Sequence, residues 1–387
     1  MHRPSRVLGS SGRPRKRLTV ALPLALLTSL AACAQSDGIR SHLTRCVEFG
    51  AADTLLAGAA ERAVPSMIIG LAVDREHRLY ILDPFHGVIL SLDSTGAERW
   101  SRGGVGAGPA ELRDPFGLTL HGDTLGVWDR GNSRLSFWTT AGEPVGVLAL
   151  HEVGLLFQPL WAGLAGPRHA AAALIEPVRG GAPRGARPGV FILAEFGSRS
   201  TDTLARFEFP PFVLIGPPGR QRSVGPPLGP YPEFAAEHQL VLFSHGTEYV
   251  VRGWRLADHS TFTITGAPGR PAPVPDHERY VRRRLRDAEE AASVVPDSLP
   301  AVRALGVEAR GDVLVGTYWW RDGLQQWDRW TVEARLVESV LLPIRATFVT
   351  AVDDTWYGVV ADSLDLQSVV RFRQPRMQPC IGPRDPE

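Results

Sequence analysis

One pattern in this chain returns at a fixed distance, and it limits the fold more than any other feature. Leu79, Tyr80, Ile81, Leu82 and Asp83 come back 46 residues later as Leu125, Gly126, Val127, Trp128 and Asp129. Val88 and Ile89 come back as Arg134 and Leu135, and the turn glycine Gly96 as Gly142. A unit of that length is four short strands long. Periods in this range mark propeller arrays, in which one unit cannot bury its own faces and neighbours must stack on it. Residues 67–73, 79–82, 88–92 and 97–101 read as the four strands of the first unit. Between them lie turn-forming groups such as Asp83-Pro84 and Asp93-Ser94-Thr95-Gly96. These strands are apolar on both faces instead of alternating, as expected of a sheet sandwiched between two others.

Composition agrees. Gly 40 and Pro 32 in 387 residues make a turn-rich chain with enough apolar residues for a sizeable core. The net charge of +1 is misleading, because Arg3, Arg6, Arg13, Arg15, Lys16 and Arg17 precede a candidate cleavage site with no acid among them. Removing them leaves 36 basic residues against 41 acidic ones, which argues against nucleic acid as a partner. Lys16 is the sole lysine, so neither Schiff-base chemistry nor a P-loop is expected in the remainder.

The N-terminus reads as an export signal. A basic stretch at residues 13–17 is followed by an apolar run at 18–30, too short to span a membrane. Leu30-Ala31-Ala32-Cys33 resembles the lipobox of bacterial lipoproteins, which implies cleavage after residue 32 and lipidation of Cys33. In that family Ala34 beside the cysteine implies the outer membrane. Contact with the membrane is then expected through the lipid anchor only, with residues 33–45 as a tether and 46–387 as the propeller. Cys46 and Cys380 are left as an even pair at the two ends of the folded part, in an oxidising compartment. A disulfide there would clamp the ring where it closes, although two separate buried thiols fit the count equally.

Further units follow with weaker internal similarity. The third is assigned residues 170–175, 190–196 and 203–209. The fourth has 239–243, 248–254 and 260–265, and the fifth has 302–307, 313–319, 326–332 and 336–342. The sixth has 347–352, 355–361 and 367–373, with its missing strand donated by residues 46–56. That makes six four-stranded blades. Between the fourth and fifth, residues 275–292 read as one helix, with Val281, Leu285, Ala288 and Ala292 as an apolar stripe and Pro296 as its stop. The connector from Gly103 through Gly108, Pro109, Glu111 and Pro115 resembles the start of an NHL repeat, and Asp129, Asn132, Arg134 and Phe137 continue that pattern. More loosely, the chain resembles bacterial six-bladed propeller lipoproteins of uncharacterised function.

No catalytic motif and no cofactor or metal signature stands out. The glycine run at residues 103–108 lacks the strand, loop and helix context of a nucleotide site. Asp83 and Asp129 each end a strand, where a carboxylate that accepts backbone N–H groups makes an Asx-turn. His86 and His245 lie in equivalent turns three blades apart, too far apart to share a metal. Trp319, Trp320, Trp327 and Trp330 suit the core better than a sugar platform.

In a four-stranded blade the turn between strands two and three lies on the same face as the connector to the next blade. That groups His86, Arg130, Asn132, His245 and Arg321 with the connectors that carry Arg102, Arg220 and Arg222. Residues 209–232 contain no acid, so this face is a candidate site for an unidentified protein or small-molecule ligand. The expected function is a binding module. The alternatives are a lactonase-like hydrolase or lyase with its site in the central channel, and a scaffold subunit of an envelope complex.

Overall fold

The first strand of the chain, β1 (Cys46–Leu56), belongs to its last sheet. The computed structural model describes residues 46–56, 67–153, 159–175, 186–198, 201–210, 213–215, 222–224, 229–266, 299–321, 324–343, 346–362 and 366–378. Blade 1 is the meander β2 (Gly70–Val73), β3 (Leu79–Asp83), β4 (Val88–Leu92) and β5 (Glu98–Gly103). Blade 2 repeats it with β6 (Pro115–His121), β7 (Thr124–Asp129), β8 (Arg134–Thr139) and β9 (Pro144–Ala149). Blade 3 is β10 (Trp161–Gly166), β11 (His169–Ile175), β12 (Arg187–Glu195) and β13 (Thr201–Phe209). A hairpin of β14 (Val213–Ile215) and β15 (Arg222–Val224) lies in the connector that follows.

Blade 4 is β16 (Glu233–Glu237), β17 (Leu240–Ser244), β18 (Val250–Arg255) and β19 (Ser260–Thr265). Blade 5 is β20 (Val302–Val307), β21 (Val313–Arg321), β22 (Leu324–Trp330) and β23 (Leu336–Pro343). Blade 6 contains β24 (Ala346–Val352), β25 (Thr355–Ala361) and β26 (Gln367–Gln378), with β1 as its outermost strand. The fold is therefore an all-β propeller of six four-stranded blades. The sequence reading placed no innermost strand in blades 3 and 4, and β10 and β16 supply them. The helix expected at residues 275–292 lies outside the described residues.

Why the ring closes is visible in its core. Six buried apolar clusters fill the six gaps between neighbouring blades. β3 is buried along its whole length, with Leu79 and Ile81 packed toward blade 6 and Tyr80 and Leu82 toward blade 2. The strand is apolar on both faces for that reason. At the closing gap, Leu55 of β1 joins Leu79, Ile81, Tyr357 and Val359 in one cluster. Arg371 of blade 6 also donates to the Ser94 carbonyl of blade 1 at 2.7 Å.

β1 does more than complete blade 6. It runs antiparallel to β26, with Cys46 opposite Gln378 and Leu56 opposite Val369, and parallel to β23, with Cys46 opposite Ser339. Blades 5 and 6 are thereby joined into one eight-stranded sheet. Cys380 lies outside the described residues, two positions beyond the partner of Cys46.

Candidate functional site

Each blade's first strand runs along the axis, and the turns between second and third strands share one face with the blade connectors; this is called the upper face below. On it, the two recurring aspartates fold the turns. Asp83 is buried and accepts from the backbone N–H groups of Phe85 at 2.9 Å and His86 at 3.2 Å, and its second oxygen meets His86 Nδ1 at 2.7 Å. Asp129, also buried, accepts from the backbone N–H of Arg113 at 2.8 Å, from Asn132 Nδ2 at 2.7 Å and from Arg134 Nε at 3.0 Å. Arg134 then reaches the carbonyls of Ala107, Gly108 and Glu111 at 3.1, 2.7 and 2.7 Å. The glycine-rich connector is thus pinned by one guanidinium. Glu111 accepts from the Gly108 N–H at 2.8 Å, and a Cβ on Gly106 would collide with that carboxylate.

The residues expected to form a binding face divide accordingly. His86 and Asn132 are part of the turn architecture, Asn132 also donating to the Gly106 carbonyl at 2.9 Å. Arg130 makes a two-point ion pair with exposed Asp114 at 2.7 and 2.9 Å and stacks over the Phe116 ring at 4.6 Å. Arg102 is exposed and donates to the Ser101 carbonyl. His245 is exposed with its ring against Phe243 at 4.7 Å, and burial and Arg252 hold its pKa below the usual histidine value. Arg222 lies on β15 and Arg321 at the end of β21, while Arg220 is outside the described residues. Trp327 and Trp330 are core, as expected.

What the sequence did not show is how apolar the upper face is. Phe85 is 64% exposed and Val105 65%, and Phe116, Met67 and Leu366 are also exposed. Gly104 bonds the Gly87 carbonyl, which brings the connector holding Val105 beside the turn holding Phe85. The Ile68 N–H donates to Gln367 Oε1 at 2.5 Å, which brings Met67 beside Leu366. An arc of exposed apolar side chains therefore runs from blade 6 across blade 1 to blade 2. Phe348, near the start of β24, is exposed on this side too and has φ +50. A left-handed backbone at a bulky aromatic is costly and collects at functional positions.

The axis carries polar groups, among them two acids of the unforeseen strand β16. Glu233 and Glu237 point the same way, about 13 Å apart along the channel at strand rise. Burial pushes the Glu233 carboxyl up to about 8 against the opposing pull of Arg303, which donates to buried Gln325 at 2.5 Å. Burial likewise pushes Glu237 up to about 8, although the backbone of Leu120, two blades away, hydrogen-bonds to it across the axis. Below Glu237, His238 and Gln239 form a two-residue hairpin loop with φ +51 and +64. Such loops normally take Asn-Gly. His238 is pushed down to about 4, first by burial, then by His121 of blade 2 and Arg75 of blade 1. His121 is lowered by burial, and its Nδ1 is buried without a hydrogen-bond partner among the described residues. Among those residues no three His, Cys, Asp or Glu side chains come close enough to hold a metal ion.

Fold and site together define a six-bladed propeller with a tightly built turn face, an exposed apolar arc and a polar axis. No family model matches the sequence, and no curated protein matches it. Solved structures do match. An exported protein of Bacteroides fragilis superposes with a TM-score of 0.51 at 11% identity, covering 86% of this chain and 99% of that one. A member of the DUF4221 family from Bacteroides vulgatus gives a TM-score of 0.50 at 8% identity, covering 87% of this chain and 100% of that one. At such identities the likeness is one of fold.

Proposed function

We propose that this protein is an exported propeller, lipid-anchored at Cys33, that works as a binding module and grips a protein partner with its upper face. The observation that carries the reading is the arc of Met67, Phe85, Val105, Phe116 and Leu366, all exposed and all on one face. Scattered exposed apolar residues are ordinary, but a contiguous set rimmed by polar groups marks an interaction site. Arg130 lying over Phe116 adds an aromatic and arginine pair of the kind that concentrates binding energy at interfaces. The direction of β1 also fits. It pairs antiparallel with β26, so Cys46 lies at the lower end of blade 6. A lipid anchor joined through residues 33–45 would meet the propeller at that end, opposite the arc.

The NHL-like connector and the end-to-end cysteine pair belong to the same reading, as do the outer membrane and the periplasmic side. A hydrolase or lyase in the channel draws on the polar axis, and a scaffold subunit would use the same upper face. The test is affinity capture of the full-length protein from solubilised membranes, with chemical crosslinking. A stoichiometric partner is expected that is lost in Phe85→Asp, Phe116→Asp, while the melting temperature stays unchanged. Retention of that partner by the folded double variant, or a wild type that captures none, overturns the reading.

A further inference from the structure

We propose that the lower mouth of the channel binds a small oxyanion, a carboxylate or phosphate group, held by Arg75, His121 and His238 from three blades, with a proton taken up on binding. This site stands independently of the upper-face reading. Arg75 follows β2, and its Nε donates to the Ala309 carbonyl of blade 5 at 3.3 Å. Blade 6 separates those two blades, so the guanidinium spans the mouth below its first strand. His238 is brought to the same place by the left-handed hairpin loop of blade 4, and its charged form is opposed by both His121 and Arg75. Two potential cations from two other blades, His121 and Arg75, therefore act on His238 at the end of the axis.

Among the described residues, most of the acids at this end are committed to other partners. Glu237, just above, is held in its neutral form by burial. Several other acids at this end are engaged elsewhere, Glu76 with Arg78 and Asp312 with Arg329 among them. Asp74 is bonded to Arg78 and the Tyr80 hydroxyl, and Glu308 to the backbone N–H groups of Arg310 and Asp353 with Arg329 beyond. Asp353 pairs with Arg310, and Asp123 and Asp354 lie at exposed turn tips. His77 is used too, its Nδ1 meeting the Tyr357 hydroxyl at 2.8 Å.

An orphaned imidazole nitrogen, a second imidazole kept neutral first by burial and then by its cationic neighbours, and a guanidinium reaching from blade 1 to a blade 5 carbonyl make a set of donors short of negative charge. An incoming oxyanion supplies it. Once the anion is present its charge outweighs the burial and repulsion that keep His238 neutral, so the imidazole protonates and donates to the ligand. Rising pH works against the complex twice, by withholding that proton and by ionising Glu237.

Calorimetric titration of the propeller with inorganic phosphate and, separately, with succinate tests this, the two arms distinguishing phosphate from carboxylate sources. At least one is expected to bind at about pH 6 with uptake of about one proton, read by comparing buffers of different ionisation heat, and at least about ten-fold more weakly at about pH 8. Arg75→Gln and His238→Asn are each expected to lower the affinity about ten-fold or more. Asparagine tolerates the left-handed backbone at 238, so that variant keeps the test open even where Arg75→Gln fails to fold. Absence of binding by both anions at pH 6, affinity independent of pH, or undiminished binding by folded His238→Asn overturns the proposal.

Discussion

The two glutamates of β16 make the stability of this propeller depend on pH in an unusual direction. Both carboxyls are raised from 4.5 to about 8 by burial along the axis. A folded chain that holds its protons more tightly than the unfolded chain is most stable where both states are protonated, below about pH 4.5. That contribution is lost as pH rises through about 8. At ~1.4 kcal/mol per pKa unit the ceiling is ~5 kcal/mol per glutamate. Both side chains keep some contact with channel water, so we halve this and expect ~2 kcal/mol each.

His238 works the other way. Its pKa is lowered to about 4, so its share of stability is present above about 6.5 and is lost as pH falls toward 4. The steepest fall should therefore lie between about pH 6.5 and 8, where His238 no longer offsets the glutamates. The assay is chemical denaturation at intervals from about pH 4.5 to 9, comparing wild type with Glu233→Gln, Glu237→Gln. Glutamine resembles the protonated acid, so the double variant should match wild type at low pH and exceed it by several kcal/mol at about pH 8.5. Parallel pH curves for the two proteins would refute the assignment of neutral carboxyls to the axis.

Two further outcomes follow from the closing and connecting devices. Arg134→Gln removes the donors to three connector carbonyls and leaves buried Asp129 with one partner fewer, so it should cost ~3 kcal/mol in denaturant melts and increase proteolysis between residues 103 and 112. The expected Cys46–Cys380 disulfide is checked by mass analysis with thiol labelling, in which both cysteines should be unreactive until reduced; two reactive thiols in the folded, unreduced protein would remove the clamp.

Much of the ring could be read from sequence because its turns are made by side chains of specific chemistry. Asp83 and Asp129 recur since each must accept several backbone or side-chain donors, and Gly96 and Gly142 recur since both take positive φ. The donated strand was legible because blade 6 lacked one. β10 and β16 were not, for physical reasons. β10 is two-thirds glycine and alanine, and β16 carries an acid at each end, which ordinarily marks a loop. Beside an axial channel a strand can hold such groups, because its inner edge borders the channel and not the packed core.

The lower mouth was hidden for a related reason. Arg75 and His238 occupy hairpin turns and His121 ends strand β6, places where a polar residue calls for no explanation, and only closure of the ring brings them together. One signal was present. The two-residue loop at His238 and Gln239 lacks the glycine or asparagine that its backbone favours. On the upper face the exposure of Phe85 and Phe116 could not be separated from core membership, since apolar residues are ordinary on both sides of a blade.

The double pairing of β1 has a consequence for how the chain is made. Its partner β26 is about three hundred residues distant, so the ring cannot be sealed until residues 367–378 have been made. Until then the first strand and the edges of the blades already formed are open templates for any passing chain. The parallel register with β23 offers a berth one blade earlier. A chain that docks β1 there shields both edges while blade 6 is still emerging, and the last hairpin then has a waiting edge on which to form.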